Sequence, residues 1–152
     1  MTGGKTLGLK QRLINQARKR SIWVLPFNSG GCNGCAIEVL ASVSPRSDLE
    51  RFGILVKGSP RHADVLVVDG PVTSKLKDRL LRIYQQMPEP KAVVALGSCT
   101  ASNGVFDGCY GVAGPLDKII PVDVWVPGCP PRPEAIIQGI VKAMGKIETL
   151  EK

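Results

Sequence analysis

Four cysteines, Cys32, Cys35, Cys99 and Cys129, each stand just beyond a short apolar run of the chain. Thiolates gathered in this way ligate soft metals and iron–sulfur clusters. Residues 28–35 read NSGGCNGC, a CxxC in a loop whose glycines let backbone N–H groups turn toward a ligand. The second cysteine of that pair leads into a helical stretch, whose N-terminus favours thiolate and anion. Cys99 follows Gly97 and Ser98, and Cys129 lies in PGCPPRP. A Pro directly after a cluster-binding Cys aims the chain away from the metal. One [4Fe-4S] cluster on four thiolates fits the set best. Structural zinc remains an alternative, although it usually draws on two paired knuckles, and here one pair is joined by two isolated thiols. A thioredoxin-like redox pair leaves Cys99 and Cys129 unused. Cys109, in FDGCYGV, stands ten residues beyond Cys99 and reads as a free, packed thiol.

The elements that must position these thiols follow from hydrophobic pattern. Short, β-branched apolar runs at residues 22–27, 65–68, 92–96 and 122–126 predict strands, with a weaker fifth at 54–56. Helical character lies between them, at residues 36–43, 74–86 and 133–147. The last has Pro133 and Glu134 in its first turn, with Ile136, Ile137, Ile140, Val141 and Met144 at helical spacing. Strands alternating with helices predict βαβ units and one parallel sheet. In such an open sheet, ligands gather outside the carboxyl ends of the strands, where the cysteine loops fall.

Composition agrees with one α/β domain. A chain of 152 residues buries a single sizeable core. Its 17 glycines and 12 prolines concentrate in loops, which suits close backbone approach to a bulky ligand. No apolar stretch is long enough to cross a bilayer, and no secretory signal is apparent, so a reducing cytosolic setting is expected. The net charge is +7, and residues 1–20 hold six bases and no acid, which leaves the remainder near neutral. That basic arm has leucines interleaved with its charges, a pattern for lying on an anionic membrane surface or a partner subunit, or for a solvated tail. Nucleic-acid binding is not expected, because the domain proper is near neutral and the arm has no aromatic residue for base stacking.

NSGGCNGC, GSPRHADVLVVDGPVT, the GSC segment at Gly97 and VPGCPPRPEAI at Val126 together resemble the small-subunit family shared by [NiFe] hydrogenases and the 20 kDa subunit of NADH:quinone oxidoreductase. The likeness runs from about residue 21 to residue 147. It implies a flavodoxin-like open parallel sheet with helices on both faces, and one proximal [4Fe-4S] cluster on Cys32, Cys35, Cys99 and Cys129. Residues 1–20 are then the basic arm and 21–152 the iron–sulfur domain. The quinone-reducing branch has adjacent cysteines at the first ligand site. Here Asn33 and Gly34 separate them, which is the hydrogenase form. Uptake hydrogenases add a C-terminal region with further clusters, so the resemblance points to the short small subunit of membrane-bound, energy-converting hydrogenases (group 4). Related quinone- and sulfur-reducing complexes stay open.

The role so implied is electron relay without bond-making on this chain. Electrons pass from a ferredoxin-like subunit, supplied by soluble ferredoxin, to the Ni-Fe site of a large subunit. The membrane-embedded subunits of such a complex place this chain peripherally, at the cytoplasmic face. Three further residues are candidates for tuning the potential or relaying protons. Glu38 lies one turn behind Cys35, where it either serves the helix dipole or relays protons. Arg61 and His62, in SPRHAD, read as charges near the cluster or as loop residues paired locally. Asp69 and Asp123 read as structural. A flavin or phosphate ligand at the same sheet edge is the other class, disfavoured because no P-loop and no GxGxxG is present.

Overall fold

The computed structural model describes residues 21–150. Five strands form its main sheet: β1 (Ile22–Asn28), β2 (Ile54–Val56), β3 (Val65–Asp69), β5 (Ala92–Leu96) and β7 (Val124–Val126). They pair in parallel in the order β2-β1-β3-β5-β7. With the sheet's strands counted alone, this is the 2-1-3-4-5 order of flavodoxin-like folds, and the order reverses between β1 and β3. Register there is continuous from Val24 opposite Val65 to Asn28 opposite Asp69. The two strands that flank the switch point therefore end level with each other, at Asn28 and Asp69.

Side chains alternate across the sheet and build two cores. On one face Val24, Val65, Val67, Val94 and Leu96 pack with Val39 of α1 (Gly34–Val43) and with Ile136 and Ile140 of α4 (Pro133–Leu150). The other face buries Leu66, Val68, Val93 and Ala95 under Leu80 of α2 (Ser74–Gln86), Leu116 and Ile120. Strands β3 and β5 are buried at every position, as a parallel strand covered on both faces must be. Gly139 lets α4 approach the sheet, since a Cβ there would collide with Val126. α2 stops at Met87 because Pro88 disfavours helical backbone in the residue before it.

The α/β class and the flavodoxin-like layout stand as expected, and the strands at 54–56 and 92–96 have the expected bounds. The expected strand at 122–126 starts two residues later, at Val124, because Asp123 turns its carboxylate to accept a 2.8 Å hydrogen bond from the Val93 amide. Three short elements escaped the pattern. A short helix α3 (Gly97–Ser102) follows β5 directly, and β4 (Val72–Thr73) pairs antiparallel with β6 (Val112–Gly114). All three are too short to show a period. The basic arm at residues 1–20 lies outside the described residues.

Candidate metal centre

The switch point builds the site. β1 ends at Asn28 and the chain runs through Ser29–Gly31 to Cys32, then enters α1 with Asn33 in left-handed backbone at φ 67°. Cys35 thereby lies in the first turn of α1. β5 ends at Leu96, and Gly97, at φ +82°, swings the chain into α3 with Cys99 in its first turn. β7 ends at Val126, followed by Gly128 and Cys129. The last two loops are tied together, since the Ser98 amide donates 2.9 Å to the Gly128 carbonyl. The first loop is tied to the end of β3: the Ser29 amide donates 2.8 Å to the Asp69 carbonyl, and the Ser29 hydroxyl donates to the carbonyls of Asp69 and Gly70. Gly70 needs its missing side chain, because a Cβ there would strike the backbone of Gly31.

All four cysteines line one cavity of about 120 Å³ at the carboxyl edge. Cys32 and Cys129 are exposed, while Cys35 and Cys99 are half-buried. The thiols feel one another. Burial first, then the Asp69 carboxylate and the other three cysteines, push the Cys35 thiol up to about 11. Burial raises Cys99 as well, aided by Cys129 and Cys32. As free thiols Cys35 and Cys99 resist ionisation, so a bound cation that draws off their protons stabilises the site.

The donor set limits what the site can hold. Among the described residues no three His, Cys, Asp or Glu side chains converge closely enough to ligate one metal ion. A [4Fe-4S] cluster offers each thiolate its own iron and suits thiols spread around a cavity. Flavin fits poorly, because small-molecule sites typically measure about 300–1,000 Å³ and this one is smaller.

The structure treats the remaining candidates differently. Glu38 is half-buried on α1, one turn beyond Cys35, and so stays near the site. Arg61 and His62 do not. Both precede β3 at its amino end, across the sheet from the cysteines, and the His62 ring meets Trp23 edge-to-face with centroids 5.7 Å apart. Lys57 lies over the same indole at 5.2 Å. Cys109 is exposed, not packed as expected, because its loop runs out beyond α3, and it does not line the cavity.

Asp69, read from the sequence as structural, lines the cavity. It is 4% exposed and accepts a 2.8 Å hydrogen bond from Asn28 Nδ2. Burial raises its carboxyl to about 6 against the opposing effect of that bond. A signal existed: an acid closing the otherwise apolar run VLVVD just before a glycine.

Known proteins bear on this site. The family model described as NADH ubiquinone oxidoreductase, 20 Kd subunit, matches residues 32–143, a span that holds all four cysteines. A probable membrane-bound hydrogenase subunit of Pyrococcus furiosus, mbhJ, is 53% identical over 133 residues, 88% of this chain and 80% of that protein. An NADH-quinone oxidoreductase subunit of Geotalea daltonii is 50% identical over 135 residues, 89% of this chain and 77% of its own. Among solved structures, a chain of the membrane-bound sulfane sulfur reductase, an archaeal respiratory membrane complex, superposes with TM-score 0.78 at 44% identity, covering 90% of this chain and 76% of that one. A chain of an NAD+-reducing [NiFe]-hydrogenase shares the fold, at TM-score 0.63 and 19% identity over 84% of this chain and 93% of that one. The chain belongs to the family of the NADH:ubiquinone oxidoreductase 20 kDa subunit, and is a non-catalytic subunit of an oxidoreductase.

Proposed function

We propose that this chain relays electrons through one [4Fe-4S] cluster held by Cys32, Cys35, Cys99 and Cys129, inside a membrane-bound hydrogenase complex at the cytoplasmic face of the membrane. The observation that carries the reading is that three separate loops deliver four thiols to one cavity at the sheet's switch point. When bound, such a cluster accepts and passes on single electrons. The polypeptide supplies the ligands, excludes water and sets the surrounding charge.

Electrons are proposed to enter from a ferredoxin-like subunit and leave toward the Ni-Fe site of a large subunit. Apolar side chains exposed near the cysteines support a partner surface there: Ile37 is 62% and Leu40 71% exposed on α1. The separated Cys32 and Cys35, and the likeness to the Pyrococcus hydrogenase subunit, favour the hydrogenase reading. No helix among the described residues is long and apolar enough to cross a membrane, so attachment is assigned to partner subunits. Glu38 is proposed as a proton relay beside the relay of electrons, and its half-buried place behind Cys35 supports this. The second reading, a quinone- or sulfur-reducing complex, is favoured by the likeness to the Geotalea NADH-quinone oxidoreductase protein and to the sulfane sulfur reductase chain.

The deciding experiment is purification of the complex without oxygen, with iron, sulfide and nickel assayed. About four iron and four sulfide assigned to this chain, with nickel in the large subunit, is the expected result. A complex with the cluster but without nickel moves the assignment to the second reading. A protein of this chain that never holds iron overturns both.

A further inference from the structure

Asn28 and Asp69 are the last residues of β1 and β3, paired in register at the switch point. The Asn28 amide faces two ways. Its Nδ2 donates 2.8 Å to Asp69 Oδ2 and, at 3.4 Å, to Asn33 Oδ1. Its Oδ1 accepts from the Gly30 and Gly31 amides at 2.9 and 3.0 Å. An ionised carboxylate is an acceptor only, so Asp69 dictates which end of the amide turns toward it and which toward the glycines. The chain from Gly30 to Asn33 is thereby held at both sides of Cys32.

This arrangement is not required to join the strands. Ser29 already staples the ends of β1 and β3 through the Asp69 and Gly70 carbonyls, and Thr73 donates both its amide and its hydroxyl to the Ser29 carbonyl. An asparagine at position 69 would offer Asn28 an acceptor without burying a charge but, carrying a donor as well, would not dictate how the Asn28 amide turns. A carboxylate kept beside four thiols costs the fold and is therefore better explained by what it does to the site. Among the described residues lining the cavity, Asp69 is the one charged side chain other than the cysteines.

We infer that Asp69 and Asn28 are positioning residues for the cluster: the Asp69 carboxylate orients the Asn28 amide that holds the Cys32 loop, and its negative charge lowers the cluster's reduction potential. The inference rests on the cluster reading given under Proposed function. A fixed negative charge in a partly desolvated site disfavours an added electron, and removing it makes reduction easier.

The test uses the complex that contains this chain, purified without oxygen, as wild type, Asp69→Asn, Asp69→Glu and Asn28→Ala. Iron and sulfide content, the electron paramagnetic resonance spectrum of the reduced cluster and its midpoint potential are read for each. Asp69→Asn is expected to keep wild-type iron and to raise the potential by about 59 mV or more, tenfold in a one-electron equilibrium. Asn28→Ala keeps the charge, and is expected to alter the spectrum with a smaller shift in potential. Full iron in Asp69→Asn with an unchanged or lowered potential overturns the inference. Where Asp69→Asn loses its iron, Asp69→Glu decides: a potential matching wild type supports the charge, and a raised one overturns it. Wild-type protein free of iron is a different failure, because the cluster reading falls first.

Discussion

The Cys35 thiol packs against the bare backbone of Gly97: a Cβ at Gly97 would stand 2.9 Å from Cys35 Sγ, and 3.3 Å from the Gly128 carbonyl oxygen. One glycine thus touches two of the three cysteine loops. Its φ of +82° also lies where a side chain is strained.

Gly97→Ala should therefore damage the site more than the fold. The added methyl displaces Cys35 or the Cys129 loop, and left-handed backbone costs an L-residue roughly 1–2 kcal/mol. Iron per chain is expected to fall to less than half of wild type, with far-ultraviolet circular dichroism unchanged and the melting temperature only a few degrees lower. Full iron in this variant would show that the loops yield more easily than their packing suggests.

Alkylation should separate the five cysteines. In metal-free, reduced protein Cys35 is raised to about 11 from an ordinary 9.0, so its thiolate is about a hundredfold scarcer at pH 8. Mass spectrometry after a short iodoacetamide pulse is expected to find Cys109 modified and Cys35 largely spared, with Cys35 labelling rising steadily toward pH 11. With the cluster bound, Cys109 alone should react. Cys109→Ser should keep the visible absorbance of wild type, and its loss would make Cys109 a ligand.

Asp69 should make the metal-free fold lose stability as pH rises from acid toward neutral. Its carboxyl is raised to about 6 from 3.8, so between these values the folded chain binds more protons than the unfolded one. Stability is then greatest below pH 4 and declines as pH climbs through 6. Asp69→Asn lacks this loss. Urea denaturation of the metal-free proteins should find the two equal near pH 4 and the variant ahead at pH 7, by at most about 3 kcal/mol. Equal stability at pH 7 would mean that the carboxylate is well solvated.

His62 tests how far charge acts through the sheet. It sits on Trp23 at the amino end of the strands, with the length of β3 between it and the thiols. His62→Gln is expected to leave the cluster's midpoint potential and its pH dependence unchanged while costing less than about 1 kcal/mol of stability. A shifted potential in redox titration would restore His62 as a tuning group.

How much of this was legible in the chain depends on the range of the interaction. Strand and helix identity came from local pattern: β5 and α2 have the bounds their hydrophobic runs predict, because a run buried on both faces and an amphipathic period each leave a mark on the sequence. The four thiols were legible too, since each follows such a run and parallel strands send all those ends to one edge. SPRHAD misled, because a charged loop next to a strand does not reveal which end of the strand it adjoins until chain direction is followed through the sheet. Cys109 misled for a similar reason: burial of a loop thiol depends on what the loop packs against.

By itself the sequence determined the alternation of elements and the supply of four thiols, because these depend on neighbours a few residues apart. Only the tertiary structure decided that Asp69 meets Asn28, that Gly97 meets Cys35, and that His62 meets Trp23 instead of the site. Each of these pairs is separated by more than thirty residues along the chain and joined only when β1, β3 and β5 come into register. Contacts set by strand order have no local signature, and the charge and packing of this site are set by such contacts.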